Sequence, residues 1–189
     1  MKTIVAVIVV LTYTFATVAA ETCQNELQMQ NLNTQRFFKG DWYVTYIKDG
    51  TKDAACRQYK TKIEGVLVKL TADGDYTFKG QTKKYTTTCS TTTGTSLNPT
   101  GPFVLKCMHT YDKDKSHIFF DLKMSVVETD YDNYALVYRC TTYDDQSLNI
   151  NYGNYVLLMR NKNADVAKVT ASLSNPNWSL SRFTKTAGC

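Results

Sequence analysis

Apolar and polar residues alternate along much of the chain between residues 41 and 160. The clearest example is the segment 118–126, where Ile118, Phe120 and Leu122 alternate with Asp121 and Lys123. A period of two residues is typical of a strand with one buried face. Combined with the turn-forming residues between segments, the pattern predicts eight strands: A 41–48, B 57–71, C 75–85, D within 86–96, E 103–111, F 118–126, G 133–142 and H 151–160.

The turns that separate these strands are short. Asp73-Gly74 is a strong hairpin signal and predicts the connection from strand B to strand C, while Gly65 is a candidate for a bulge inside strand B. The threonine-rich stretch 86–96 is predicted as a polar strand, with a flexible or O-glycosylated loop as the alternative. Consecutive strands with short turns indicate an all-β, antiparallel, up-and-down barrel rather than alternating βα units.

The period changes after residue 164. Val166, Val169 and Leu173 fall at helical spacing and predict a C-terminal helix over 165–173 that lies on the barrel wall. The Asn175-Pro176 pair then favours a second short turn, which would let Phe183 pack against the barrel.

The N-terminus has the composition of a secretory signal peptide. Lys2 is followed by an apolar run at 4–10 and by the small residues Val18-Ala19-Ala20. We therefore predict a signal peptide over 1–20, a single domain over 21–189, and secretion of the mature protein.

Six cysteines behind a signal peptide indicate three disulfides formed in an oxidising compartment. No Cys-x-x-Cys motif occurs and the two histidines are not clustered with cysteines, so no metal site is expected. The formal net charge is only +5 and no basic run exceeds Lys83-Lys84. Neither nucleic acid nor a membrane is therefore an expected partner, and we expect a monomer.

Three short segments carry a family resemblance. Gly40 and Trp42 open the first strand, Thr129-Asp130-Tyr131 precede an apolar strand, and Arg160 closes the last strand. This order and separation resemble the lipocalin signature. The resemblance implies that the tryptophan packs under the arginine at the closed end of a barrel, with the Thr-Asp-Tyr turn beside them.

The whole mature chain is similar to the salivary lipocalins of blood-feeding triatomine bugs, the triabin-, pallidipin- and nitrophorin-like family. The similarity lies in Phe37-Phe38-x-Gly-x-Trp-Tyr-Val-Thr, in residues 131–140, and in Leu158-Met159-Arg160-Asn161-Lys162. It implies the disulfides Cys23–Cys140 and Cys56–Cys189, which leaves Cys89 and Cys107 as the third pair.

Nitrophorins ligate haem through a strand histidine, and the matching position here is Lys69. Because a protonated lysine is a poor iron ligand, we expect neither haem nor another cofactor. The sequence also contains no nucleophile elbow, phosphate loop or His-Glu-x-x-His motif, so we do not expect an enzyme.

A barrel of eight strands encloses room for about one small ligand. The apolar phase of each strand, joined by two polar candidates, predicts the following lining: Ile63, Leu67, Lys69, Tyr76, Phe78, Leu105, His109, Phe120, Leu122, Met124, Tyr134 and Leu136. Lys69 points inward only if strand B keeps one phase. A bulge at Gly65 would instead turn Val66, Val68 and Leu70 inward and leave Lys69 in solvent. Simple filling of a core is the alternative for each apolar position.

The function that this lining favours is capture of a small hydrophobic mediator, an eicosanoid such as thromboxane or a leukotriene. Its removal would inhibit platelet aggregation and oppose haemostasis. The resemblance also admits a protein-binding inhibitor of a clotting or contact-pathway protease, and a scavenger of a biogenic amine or ADP. Asn177 forms the one N-glycosylation sequon, although packing of Trp178 would counter its occupancy.

Overall fold

The computed structural model describes the fold of the mature chain. Its described residues are 23, 24, 26, 28–50, 54–78, 81–92, 101–144, 151–170 and 179–189. The predicted signal peptide and the sequon at Asn177 lie outside these residues.

The described chain consists of strands with little helix. The strands are β1 Gly40–Lys48, β2 Arg57–Glu64, β3 Leu67–Phe78, β4 Gln81–Thr91, β5 Phe103–Tyr111, β6 His117–Thr129, β7 Tyr134–Tyr143, β8 Asn151–Met159 and β9 Phe183–Lys185. The helices are α1 Thr34–Phe37 and α2 Val166–Thr170, and a 3₁₀ turn spans Leu180–Arg182.

The first eight strands form a closed antiparallel barrel. Each strand pairs with its neighbours in sequence, and β1 pairs with both β8 and β2, which closes the sheet. Closure brings Trp42 opposite Tyr59 and Val44 opposite Leu158. The predicted eight-stranded barrel is confirmed.

Two hairpin positions in the first half of the barrel differ from the prediction. Predicted strand B is two strands, because Gly65 adopts a left-handed φ of 62° and turns the chain between β2 and β3. Asp73 and Gly74 instead lie inside β3, opposite Thr86 and Tyr85 of β4. The threonine-rich segment is strand up to Thr91, and residues 93–100 lie outside the description.

Large apolar side chains fill the lower half of the barrel, the half that contains Trp42. Phe38 lies 4.9 Å from Phe103 and Phe37 lies 5.4 Å from Trp42, measured between ring centres. The other fully buried members of this layer are Val44, Leu105, Met124, Val126, Val137 and Leu158. This end of the interior is therefore a packed core.

Arg160 seals the packed end from below. Its guanidinium carbon lies 3.5 Å from the centre of the Trp42 ring, and the indole nitrogen donates a hydrogen bond to the carbonyl of Phe37 at 2.8 Å. The guanidinium donates to four backbone carbonyls, those of Tyr131 (3.0 Å), Asp41 (2.9 Å), Arg36 (3.2 Å) and Phe37 (3.2 Å). One side chain thus joins β1, the α1 segment and the turn that precedes β7.

That turn is held by Thr129 and Asp130. The Asp130 carboxylate accepts backbone N–H bonds from Asp132, Asn133 and Tyr134 at 3.2, 2.8 and 3.0 Å. Partial burial alone would raise the pKa of Asp130, but these bonds outweigh it and lower the pKa below its usual value. Tyr131 occupies the left-handed region at φ 70°, which presents its carbonyl to Arg160.

A second layer covers the outside of β7 and β8. Tyr134, Leu157 and Met159 pack against Val169 of α2, the described part of the predicted C-terminal helix. A neighbouring cluster contains Leu136, Tyr138, Cys140 and Tyr155, with Phe183 of β9 packed against it. Residues 134–138 are consequently buried on both faces of the sheet.

Three disulfides tie the barrel together, and they are the pairs that the resemblance implies: Cys23–Cys140, Cys56–Cys189 and Cys89–Cys107. The first anchors the N-terminal segment to the outside of β7, and the last joins directly opposed residues of β4 and β5. Within the described residues no helix has the length and apolar character needed to cross a bilayer.

We expect Arg160→Met to lower the free energy of unfolding by about 3 kcal/mol, because it removes the cation–π contact and leaves several carbonyls without their donor. Urea denaturation measures the change. The matched variant Lys162→Met alters an exposed lysine two residues away and should shift stability by less than about 0.5 kcal/mol. Equal effects of the two substitutions would contradict the role assigned to Arg160.

Candidate functional site

The upper half of the barrel encloses a cavity of about 280 Å³. Its walls come from β2 to β8, and its lining residues are Arg57, Tyr59, Leu70, Ala72, Thr87, Cys89, His109, Phe120, Leu122, Arg139, Thr141, Tyr143 and Tyr152. The upper half of the barrel has small side chains at Ala72, Thr87 and Thr141, whereas large apolar side chains fill the lower half. Because the side chains of the upper half are smaller, they do not fill the interior, and the cavity is the space that remains.

Arg139 crosses the base of the cavity. It lies opposite Met124 of the packed core, and its guanidinium donates to the hydroxyl of Tyr59 at 2.6 Å and to the amide oxygen of Asn154 at 3.0 Å. Asn154 in turn donates to the hydroxyl of Tyr152 at 3.0 Å. A hydrogen-bonded chain therefore links β2, β7 and β8 directly above the core.

Arg57 supplies a second guanidinium from the first position of β2. It donates to the carbonyl of Asp75 at 2.6 Å, and its side chain passes over Gly74. A Cβ atom on Gly74 would lie 2.8 Å from a terminal nitrogen of Arg57. The glycine is thus explained by the approach of the arginine rather than by a hairpin.

His109 contributes a neutral imidazole to the opposite wall. It is 3% exposed, its Nδ1 lies 2.7 Å from the hydroxyl oxygen of Thr87, and its ring centre lies 4.3 Å from that of Phe120. Burial, with a further contribution from the positive charge of Arg57, lowers the pKa of His109 to about 3. The imidazole is accordingly uncharged near neutral pH.

The electrostatic character of the cavity follows from its lining. Two guanidinium groups and several hydroxyls face it, and none of its described lining residues is Asp or Glu. Leu70, Phe120 and Leu122 provide apolar surface beside these groups. This arrangement suits a small molecule with an anionic group and an apolar body.

Several residues predicted to line the barrel do face its interior. His109, Phe120 and Leu122 line the cavity, whereas Leu105 and Met124 belong to the packed core beneath it. Ile63 is partly buried and packs against that core. The side chains of Tyr76 and Phe78 lie outside the description.

Leu67 and Lys69 do not face the interior, so their predicted place in the lining is wrong. The turn at Gly65 flips the phase and buries Val68 and Leu70 inside, as the bulge alternative predicts for these two residues. Its inward position for Val66 is wrong, because Val66 lies exposed in the turn. The Lys69 side chain is 41% exposed and forms an ion pair with Glu64. The position matched to the haem-ligating histidine therefore lies on the outer surface.

Tyr134 and Leu136 do not face the interior either, so their predicted place in the lining is also wrong. Both point outward into the layer formed with α2 and the C-terminal residues, and the Tyr134 hydroxyl donates to Glu128 at 2.7 Å. Because both faces of this part of β7 are buried, its apolar residues show no alternation that would identify the inner face.

Sequence reasoning missed Arg57 and Arg139, the two charged residues of the site. A signal for Arg139 existed in its neighbour Cys140: a disulfide to Cys23, which precedes the first strand, requires Cys140 to face outward. Residues 139 and 141 must then face inward. Within the described residues no group of three or more His, Cys, Asp or Glu side chains is placed to hold a metal ion.

The closed barrel, its sealed lower end and its hollow upper half define a lipocalin with a cavity large enough for a small ligand. The family model described as Triabin matches residues 16–171, and this chain belongs to the triabin family. Triafestin-2 of Triatoma infestans is 36% identical over 165 residues, covering 85% of this chain and 79% of that protein. Pallidipin of Meccus pallidipennis is 30% identical over 168 residues, covering 85% and 83%.

Solved structures agree with the fold. The complex of LTBP1 with leukotriene C4 is 26% identical, with a TM-score of 0.57 over 84% of this chain and 88% of that chain. The tryptamine complex of the amine-binding protein of Rhodnius prolixus is 22% identical, with a TM-score of 0.65 over 87% and 86%, and supports the fold alone. The resemblance to triatomine salivary lipocalins is confirmed, and the relatives and the disulfides are those of a secreted protein.

We expect the stability of the protein to fall by about 2 kcal/mol between pH 7.5 and pH 4.5 because of His109. The folded state lowers the pKa of this group, so the unfolded chain binds the extra proton first. The stabilisation is complete above the unfolded pKa near 6.5 and is lost as the pH falls toward about 3. His109→Gln should flatten this dependence in urea denaturation, and His117→Gln on the outer face should not; a slope unchanged by His109→Gln would refute the assignment.

We expect Ala72→Phe to fill the cavity and weaken the binding of a fluorescent fatty acid by about tenfold or more, because the added ring occupies the space of the ligand. The matched substitution Thr71→Phe lies on the neighbouring outward position of β3 and should leave binding within about twofold. Fluorescence titration of both variants measures the effect. Undiminished binding to Ala72→Phe would place the ligand elsewhere.

Proposed function

We propose that the protein is a salivary carrier, acting as a monomer, that captures a small carboxylate-bearing lipid mediator in the barrel cavity. An eicosanoid such as thromboxane or a leukotriene has this chemistry, and its removal would inhibit platelet aggregation and oppose haemostasis. The observation that carries the proposal is the presence of Arg57 and Arg139 in an otherwise apolar and hydroxyl-bearing cavity. Binding and sequestration, rather than catalysis, is the activity proposed.

The energetics of such a ligand fit the cavity. Burial of about ten methylene groups contributes roughly 8 kcal/mol before the costs of ordering. A charge-assisted hydrogen bond to a guanidinium adds about 1.5–3 kcal/mol. A volume of about 280 Å³ holds one small ligand. The part of a longer lipid that does not fit inside would lie at the mouth of the cavity, where Tyr152 is partly exposed.

The relatives support an oxygenated lipid more than an amine. A solved relative at 26% identity holds leukotriene C4, which carries carboxylates. A biogenic amine needs an acidic partner, and the described lining contains no carboxylate. The two guanidinium groups could bind the phosphates of ADP. The apolar surface formed by Leu70, Phe120 and Leu122, however, matches a lipid better than a nucleotide.

A second candidate function, inhibition of a clotting or contact-pathway protease, rests on the outer surface. Phe119 is 52% exposed on the outer face of β6 and lines a shallow groove of about 480 Å³ together with Met108, Lys62, Lys69 and Lys106. An exposed aromatic residue beside cations is typical of a protein-binding surface. Triabin of Meccus pallidipennis, 26% identical over 164 residues, is among the relatives.

Calorimetric titration of the purified protein with leukotriene C4, a stable thromboxane analogue, arachidonate, tryptamine and ADP tests the first proposal. We expect stoichiometric binding of at least one of the lipids and none of tryptamine. Absence of binding by every lipid would contradict the proposal. Prolonged clotting times in plasma would support the second candidate, because a lipid scavenger should not change them.

We expect Arg57→Met to weaken the binding of a lipid carboxylate by about tenfold or more, through loss of a charge-assisted hydrogen bond. The methyl ester of the same lipid should bind to the variant and to the wild-type protein equally well. Lys69→Met serves as the matched control, because it removes a positive charge from the outer face of the neighbouring strand. If Arg57→Met and Lys69→Met weaken the binding of the carboxylate equally, the overall charge of the protein, and not Arg57, attracts the ligand.

A further inference from the structure

The upper half of β1 lacks a partner from β2. The pairing of β1 with β2 covers only residues 40–44 and 57–61, so the two strands separate above Val44 and Arg57. Here β9 takes the vacant edge of β1, pairing Lys185 with Tyr46 and Phe183 with Lys48. The C-terminal segment, residues 179–189, therefore completes the barrel wall in the seam between β1 and β2.

The C-terminal segment is fixed in this seam by specific contacts. The Thr186 side chain is 2% exposed and its hydroxyl hydrogen-bonds with the carbonyls of Val44 and Thr45 at 2.8 and 3.1 Å. Its backbone N–H donates to the Thr45 carbonyl at 2.9 Å. Arg182 adds an exposed ion pair with Asp49 at 2.9 Å.

The same segment controls where β2 begins. The Ala187 carbonyl accepts the N–H of Cys56 at 2.8 Å, the Ala187 N–H donates to Ala54 at 2.8 Å, and Cys189 forms a disulfide with Cys56. The next residue is Arg57, whose guanidinium enters the cavity. Residues 187–189 are thus bonded to the residues immediately before Arg57.

We propose that the C-terminal segment, through the Cys56–Cys189 disulfide and the buried hydroxyl of Thr186, positions Arg57 and so determines the preference of the cavity for an anionic ligand. The inference rests on the proposed function. The backbone at residues 54–56 has no other sheet partner on the side of β1, because β9 occupies that edge. Release of the segment would let the start of β2 move and displace the guanidinium, while the apolar wall formed by β3 to β6 stays in place.

The test compares a fluorescent acid, cis-parinaric acid, with its methyl ester on the full mature chain. Wild-type protein should prefer the acid by about tenfold or more. Cys56→Ser/Cys189→Ser, and separately Thr186→Val with all disulfides intact, should reduce this preference to about threefold or less while the affinity for the ester stays within about twofold. Arg182→Met, in the same segment but exposed, should keep the wild-type preference.

The outcomes separate the inference from the proposed function. A wild-type protein that binds acid and ester equally contradicts the proposed function, and the inference falls with it. A wild-type preference that persists in both variants contradicts the inference alone. If both variants lose affinity for the acid and for the ester equally, the inference is also overturned. Such a result would show that the segment supports the barrel without positioning Arg57. Circular dichroism of each variant checks the fold, and Thr186→Val decides the matter if the serine variant does not fold.

Discussion

The structure depends on the stacking of the Arg160 guanidinium on the Trp42 indole. The arginine follows the last strand of the barrel and the tryptophan lies in the first, so their contact joins the two ends of the sheet. The four carbonyls that the guanidinium satisfies belong to β1, to the α1 segment and to the turn before β7, so one side chain bonds all three. With this end fixed, the rings of Phe37, Phe38 and Phe103 pack into a core that closes the barrel beneath the cavity.

The interior is divided into two levels by side-chain size and polarity. Below, aromatic and branched residues leave no room; above, alanine and threonine positions leave a cavity whose base is the hydrogen-bonded Arg139. Hydrogen bonding stabilises the half-buried guanidinium there, because a charge withdrawn from water without partners is costly. The same bonds to Tyr59 and Asn154 hold the guanidinium in one place, which is a requirement for selective recognition.

The fold was largely predictable from the sequence, and the charged part of the site was not. Alternation identified the strands wherever one face is solvated, as in β6, and the segments around Trp42, Asp130 and Arg160 identified the closed end. The same reasoning failed where a second layer covers the sheet, since Leu136 and Val137 are equally apolar but face opposite sides. It also failed at two glycines: Gly74 accommodates a neighbouring arginine instead of forming a turn, and the turn lies at Gly65, which reverses the inferred phase at Lys69.

The depressed pKa of His109 has a consequence for where the protein can act. Blood is slightly alkaline, whereas injured and poorly perfused tissue turns acidic, and a site with an ordinary histidine would gain a charge on passing from one to the other. Here the imidazole stays neutral throughout that range, so the field inside the barrel is set by the two permanently charged arginines. An anionic ligand of the kind proposed would therefore meet no added charge from His109 on passing between the two.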